Sequence, residues 1–430
     1  MPSDDKLLAA ARDIFGHVGE RLDAPFCMEL WDGSVVPLGP NADPDLRIRL
    51  AGPGVIAAIV KRPSLETIIR QYATGGVDFV GADMLTFIEK ARAKKIRVKP
   101  RHLPIAYLVR RGLPFFFAPV PAATTSQPFR GRSDADFIRF HYDLGNDFYA
   151  LFLDPEMQYS CAYFTDWDNP LEQAQADKID IICRKLRLAP GERFLDIGCG
   201  WGGLLCHAAA RYGVSAHGVT LSEEQYDYTR AKVKRLGLEG QVTVALDSYE
   251  NVAGQFDKIA SIGMYEHVGI ANYPRYFGTL NRLLRDRGLL LNHGITRRAR
   301  ASRRRFRHDT PERRLMQKYV FPGFELDHIG HSLESMEAAG FEVHDVEGWR
   351  EHYARTCRLW HQRLAAQAEA ATALVGREKY RIWLAYLAGV SYAFADGSLR
   401  IFQTVASKHA AKGASGMPPT RSHLYAEDDG

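Results

Sequence analysis

Phe194-Leu195-Asp196-Ile197-Gly198-Cys199-Gly200-Trp201-Gly202-Gly203 decides the fold. The apolar run Arg193 to Ile197 reads as a buried strand. It breaks into four glycines within six residues, then into Leu204-Leu205-Cys206-His207-Ala208-Ala209-Ala210, which reads as a helix. Strand, glycine turn and helix form the cofactor-binding unit of a doubly wound α/β sheet. Glycines let the backbone approach a ligand closely and take positive φ. A dinucleotide site shows G-x-G-x-x-G with an acid about twenty residues on. Here an Asp closes the strand and the spacing is D-x-G-x-G-x-G.

Around this turn, strand-like runs near 193–197, 214–219, 242–246, 257–262 and 288–294 alternate with helices. Alternation of this kind predicts a mostly parallel sheet. The helical stretch 356–395 is expected to cover one face and close a substrate channel. Upstream, residues 6–22 place Leu7, Ala11, Ile14, Val18 and Leu22 at helical spacing, with Phe15 beside them. Such an amphipathic helix packs on its own domain or lies on a membrane surface. Strands at Met28–Trp31 and Leu46–Leu50, with helices near 55–72 and 83–94, complete a small α/β domain. Pro, Ser and Thr dominate 119–135 and predict a linker. The chain thus reads as an N-terminal lipid-associated or dimerisation domain over 1–118, a linker over 119–135, a catalytic domain over 136–408 and a loose tail over 409–430.

The 430 residues carry 46% hydrophobic and 25% charged side chains and a net charge of +5, ordinary for a soluble globular chain. No apolar run approaches bilayer-spanning length, and Met1-Pro2-Ser3-Asp4-Asp5 lacks a signal-peptide pattern. A cytoplasmic protein is expected. Cysteines at 27, 161, 183, 199, 206 and 357 form no C-x-x-C, so neither a metal site nor a disulfide framework is expected. Between Arg297 and Arg314 nine arginines face only Asp309 and Glu312. That block reads as a solvated loop or as a contact for anionic phosphates.

The D-x-G-x-G-x-G turn resembles that of the class I S-adenosylmethionine (SAM) methyltransferases. The implied fold class is α/β: a Rossmann-like methyltransferase domain with a mostly parallel sheet, plus a smaller N-terminal α/β domain. Four further motifs sharpen the resemblance. They are His141-Tyr142-Asp143-Leu144-Gly145-Asn146-Asp147-Phe148-Tyr149, Tyr159-Ser160-Cys161-Ala162-Tyr163-Phe164, Gly263-Met264-Tyr265-Glu266-His267-Val268-Gly269 and Leu291-Asn292-His293-Gly294-Ile295. With the glycine turn, they resemble the cyclopropane-fatty-acyl-phospholipid synthase family, which includes the mycolic acid cyclopropane synthases, over residues 136–405. The first 120 residues are similar, less sharply, to the N-terminal domain of its phospholipid-acting members.

The resemblance implies transfer of the SAM methyl carbon to the double bond of an unsaturated acyl chain, with proton loss closing a cyclopropane ring. An alkene is a poor nucleophile, so it must sit in line with the sulfonium methyl at roughly 3–3.5 Å, with water excluded from the resulting cation. Aromatic faces suit that task, and Tyr142, Phe148, Tyr149, Tyr163, Phe164, Trp167 and Tyr265 supply them near the motifs. For SAM, the resemblance points to Gly198 and Gly200 at the methionine portion, with Tyr159 and Ser160 closing over it. Thr220, Leu221 and Gln225 match the ribose region, although Ser222 with Gln225 also fits a helix capping box. Tyr249 and Glu250 are favoured at adenine over Asp247, because relatives carry the Asp where this chain has Ser248. Asp196 and Ile262 complete the cofactor set.

The family base is a bound bicarbonate ion, and the matching positions are Glu266, His293, Tyr353, Cys161 and Ile295. Cys161 acts there through its backbone. Glu266 contributes through a shared proton or by orienting His293, because two unshielded anions repel. Gly294 departs from the Thr common in relatives, which is expected to loosen the local backbone. The implied partners are unsaturated phospholipid acyl chains at the inner membrane face, reached by peripheral contact, with no nucleic acid; the N-terminal domain leaves room for a homodimer. A methylene or methyl-branched product from the same first step is the alternative, and a non-catalytic lipid or SAM binder is a third.

Overall fold

The computed structural model describes residues 2–94, 105–120, 144–302, 306, 310–410 and 412–425. Residues 121–135 of the expected linker, and His141, Tyr142 and Asp143, lie outside the described residues, as do 303–305 and 307–309 of the arginine block. The described residues fall into two compact units. One holds those within 1–128, 309–319 and 367–392; the other holds those within 129–308, 320–366 and 393–430.

The first unit is built on a four-stranded sheet of order β2-β1-β3-β4, from Phe26–Glu29 (β1), Val35–Pro37 (β2), Asp43–Leu50 (β3) and Val77–Val80 (β4). The amphipathic helix Asp4–Leu22 buries Leu7, Ala10 and Ala11 and packs Ile14, Phe15 and Leu22 against the same core. Its apolar stripe is therefore spent inside its own unit. The helix expected over 55–72 is two, Pro53–Lys61 and Leu65–Ala73. Pro63 explains the break, since it lacks an N–H and disfavours helical backbone at the preceding residue. Ser64 then caps the second helix by accepting from Thr67 N at 3.1 Å.

Two later segments complete this unit. Arg381, on the helix Arg377–Ala395, is buried and donates to Tyr72 O at 2.6 Å and Val77 O at 2.8 Å. Its guanidinium lies 4.0 Å from the centre of the Tyr72 ring. On the helix Pro311–Tyr319, Lys318 and Tyr319 both reach Glu66, at 2.6 and 2.9 Å. The stretch 356–395 is thus not one cover over the second unit. Only its part up to Ala366 belongs there, together with the last residues from Ala393.

The second unit is a seven-stranded sheet of order β10-β11-β9-β8-β5-β6-β7. Arg193–Ile197 (β5), Ser215–Thr220 (β6), Val242–Leu246 (β7), Phe256–Ile262 (β8) and Leu284–Arg297 (β9) run parallel. Leu399–Lys408 (β11) inserts antiparallel between β9 and Phe341–Gly348 (β10). The chain leaves β5 towards β6 on one side and later returns to β8 on the other. Ligands of open α/β sheets bind beyond the carboxyl ends of strands at such a switch point, and Asp196 and the glycine turn lie there. The tail expected to be loose is docked over 412–425. Its short helix Ser422–Tyr425 buries Leu424, Arg421 pairs with Asp345 at 2.6 Å, and Gly416 O accepts from Arg187 at 2.7 Å. All six cysteines are buried free thiols.

Candidate active site

The glycine turn has the backbone that a close ligand needs. Gly198, Gly200 and Gly202 hold φ of 74°, 54° and 77°. A side chain at Gly202 would run into Thr229, whereas one at Gly200 would meet nothing within 4 Å. The turn is therefore packed from behind and open in front. Asn146, from the first family-like motif, accepts from Trp201 Nε1 at 2.6 Å and so ties that motif to the turn.

Asp196 is fully buried at the end of β5, and burial pushes its carboxyl up to about 7. The opposing charge is Lys178, on the helix Leu171–Leu186. Burial pulls this ammonium down to about 8. Lys178 Nζ donates to Ser160 Oγ at 2.8 Å and to Gln158 Oε1. Ser160 thus stands on a buried cation. Tyr159 joins an aromatic wall, 5.3 Å from Tyr149 and 5.2 Å from Trp360, with Tyr149 5.1 Å from Trp201.

Beyond β6, Thr220 Oγ1 donates to Gln225 Oε1 at 2.9 Å, both buried. Ser222 caps the next helix through Gln225 N at 3.4 Å, while its own N–H goes to Thr220 Oγ1 at 3.2 Å. The reciprocal bond of a capping box is therefore made by Thr220, and the Gln225 side chain turns to Thr220 instead. After β7, Tyr249 and Glu250 sit in a single helical turn; Glu250 pairs with Arg275 at 3.2 Å. One Asp247 oxygen accepts locally from Ser248 N and Asn251 Nδ2, both at 2.7 Å. Leu221 follows β6, and Ile262, the last residue of β8, pairs in register with His293.

The expected anion site gathers around β9. Glu266 is fully buried, with its carboxyl pushed up to about 7 by burial. Oε1 accepts from Ile295 N at 2.5 Å, while Oε2 is buried without a partner. The Ile295 N–H expected to hold an anion is therefore engaged by Glu266. His293 lies two residues back on the same strand and face. Its Nδ1 is 3.0 Å from Gln403 Nε2, and its Nε2 is buried without a partner. Burial holds its imidazole well below the usual histidine range. Cys161 is buried too, its thiol raised well above the ordinary range by burial and directed at the carbonyls of Ala162 and Trp349. A thiol so placed is no nucleophile.

The helix Arg350–Ala366 brings the rest. Trp349, just before it, packs edge-on 5.2 Å from His293 and stacks 4.8 Å from Tyr163. Thr356 Oγ1 accepts from Ala162 N at 3.1 Å, and His352 Nδ1 accepts from Phe164 N at 3.0 Å. Tyr353, between them, is buried 4.6 Å from Phe394 and 6.0 Å from Trp360. The candidate aromatics divide: Phe148 and Tyr149 line the Tyr159 wall, Tyr163, Phe164 and Trp167 gather on His352, and Tyr265 stacks 4.7 Å from Tyr273. Gly294 faces the Tyr265 ring. A Cβ there would lie 2.8 Å from Tyr265 Cδ1, so the Tyr265 ring occupies the space a larger residue would need.

A family model described as mycolic acid cyclopropane synthetase matches residues 129–404. The chain belongs to that family. It is an α/β SAM-dependent methyltransferase of cyclopropane-synthase type. A "Probable fatty acid methyltransferase" of Pseudomonas putida is 38% identical over 94% of this chain and 98% of that protein. The cyclopropane-fatty-acyl-phospholipid synthase of Escherichia coli K12 is 40% identical over 64% of this chain and 68% of that protein. The solved mycolic acid cyclopropane synthase CmaA1, complexed with SAH and CTAB, aligns with a TM-score of 0.61 and 35% identity over 65% of this chain and 99% of that one.

Sequence reasoning missed Lys178, Lys185, Gln403 and Trp349. The signal lay in the helix Leu171–Leu186, where Lys178 and Lys185 sit seven residues apart in the stripe of Leu171, Ala174, Ile182 and Leu186. Charges on a buried stripe are paired or functional.

Proposed function

We propose that this enzyme transfers the SAM methyl carbon to the double bond of unsaturated acyl chains in membrane phospholipids and closes a cyclopropane ring. The observation that carries the reading is the pair of buried, unpartnered polar atoms, Glu266 Oε2 and His293 Nε2, on elements that end at the cofactor-binding side of the sheet. Buried polar atoms seldom stay unpaired, so an unpaired couple of this kind suits a small polar guest.

SAM, when bound, supplies the electrophilic methyl. Gly198 and Gly200 give it backbone approach, Ser160 and Tyr159 flank its methionine portion, Thr220, Leu221 and Gln225 its ribose, and Tyr249 and Glu250 its adenine, with Asp196 and Ile262 beneath. The walls of Tyr149, Tyr159, Trp201 and Trp360 keep water away. A bicarbonate ion held by His293 Nε2, Tyr353 and the Cys161 backbone would supply a base for the proton lost at ring closure. Glu266, poised near neutrality, can share a proton there while it holds Ile295.

Membrane contact is supported by the helix Ile105–Phe116 and the residues after it. Val109, Leu113, Phe116 and Phe117 are 64%, 56%, 53% and 63% exposed, beside exposed Arg110 and Arg111. Apolar residues next to bases suit an anionic lipid surface, here the inner face of the cell membrane.

A second product has its own support, because the Pseudomonas relative aligned along almost the whole chain is named a fatty acid methyltransferase. The same cation, losing a different proton, leaves a methylene or methyl branch. Proton NMR of lipids from cells expressing the enzyme, fed methionine labelled in its methyl carbon, separates the products. Label in an upfield ring signal supports cyclopropanation; label only in a vinyl or branched methyl signal overturns it.

A further inference from the structure

We propose that Gln403 and Lys185 lock His293 in the neutral tautomer protonated on Nε2, which makes it a fixed hydrogen-bond donor in the site. The lock follows from donor and acceptor rules applied to a buried chain of contacts. Lys185 Nζ lies 2.8 Å from Gln403 Oε1 and is ion-paired with Glu347. The Lys185 side chain is 1% exposed, and Gln403 is wholly buried. An ammonium only donates, so the oxygen of the Gln403 amide must face Lys185. The NH2 of that amide must then face His293 Nδ1, 3.0 Å away. An amide NH2 only donates, so Nδ1 must accept and cannot carry the proton. The ring's proton is left on Nε2, the buried atom without a partner.

The reversed amide fails on both sides. It would set an NH2 against the ammonium of Lys185 while offering its oxygen to Nδ1. The imidazolium form fails as well, because its Nδ1–H would meet the Gln403 NH2. Its surroundings oppose a positive ring: Lys178 and Lys185 press on it from one helix, and Trp349 closes it edge-on. The carboxyl on this chain of contacts, Glu347, is paired with Lys185, and Glu266 is bonded to Ile295, two positions along the strand. The strand register sets the geometry, since His293 and Gln403 are direct partners across β9 and β11. Gln403 and Lys185 are thus positioning residues, and His293 holds an acceptor but does not take a proton. The functional half of this inference rests on the proposed reaction; the tautomer does not.

The test is long-range proton–nitrogen NMR of the full chain with labelled histidine rings, with His293 assigned by its absence in His293→Gln. The expected spectrum has Nε2 protonated, Nδ1 bare and no change between pH 8 and pH 5.5. Protonation on Nδ1 in the wild type overturns the lock, whatever the lipid product is. In Gln403→Glu a carboxylate faces Nδ1, and that nitrogen is expected to gain a proton. Lys185→Met, which frees the amide to turn, is expected to give mixed tautomers. Turnover in Gln403→Glu should fall roughly tenfold to a hundredfold, with the KM for SAM unchanged. Full turnover with Nδ1 protonated would overturn the positioning role.

Discussion

Replacing Glu266 by glutamine keeps an acceptor for the Ile295 N–H and removes the acid. The structure gives the size and sign of the effect. Burial raises this carboxyl from 4.5 to about 7. Below pH 4.5 the acid is protonated in both folded and unfolded chains. Between pH 4.5 and 7 the unfolded chain releases the proton while the folded chain keeps it, so the wild type loses stability as pH rises. Above 7 both are ionised and the penalty is constant. At about 1.4 kcal/mol per pKa unit, Glu266→Gln should gain about 2–3 kcal/mol on the wild type between pH 5 and pH 8. Urea unfolding at the two pH values measures it. The same variant should bind SAM as the wild type does by calorimetry, yet make little lipid product. A stability difference that is flat with pH refutes the buried acid, and SAM affinity lost in step with turnover refutes its role beyond binding.

Lys178→Met removes the cation beneath Ser160 and beside Asp196. SAM affinity should fall by about 10–100-fold, the worth of a charge-assisted hydrogen bond, and an unchanged dissociation constant would disprove the support role. Gly294→Ala adds a methyl 2.8 Å from a Tyr265 ring that is itself stacked on Tyr273. The overpacking cost of about 1–3 kcal/mol outweighs the gain of about 0.4–1 kcal/mol from a stiffer unfolded chain, so the urea midpoint should drop; a rise would show that the ring yields freely. Phe116→Glu with Phe117→Glu should cut pelleting with anionic vesicles while leaving SAM binding intact, and undiminished pelleting would move the lipid contact elsewhere.

The α/β sheet was legible because its signals are local. Arg193–Ile197 followed by glycines can scarcely be anything but a strand running into a ligand turn, and the apolar runs at 242–246 and 288–294 carry the same period. Glu266, His293 and Ile295 stand out as candidates through motif order, but the bond from Ile295 to Glu266 does not, since it joins a short helical turn to a strand 29 residues on. Gln403 was hidden for the same reason: its meaning comes from pairing with His293 across 110 residues. The helical stretch around Arg381 looks in sequence like a cover for the catalytic sheet, and nothing local ties Lys318 to the first unit. Only tertiary contacts with Glu66, Tyr72 and Val77 reassign them, and helical periodicity says which face is buried without saying against what.

The anchoring of Tyr72 and Val77 by Arg381 bears on how the chain is made. A ribosome delivers the strands of the first unit long before it delivers their last clamp, with 304 residues separating Val77 from Arg381. The catalytic sheet waits too, because β11 must slide between β9 and β10 after both exist. The edges of β9 and β10 that β11 fills therefore stay unpaired from their own synthesis until Leu399–Lys408 has been made. Both units become whole only after residues far along the chain, Arg381 for one and Leu399–Lys408 for the other, have been made.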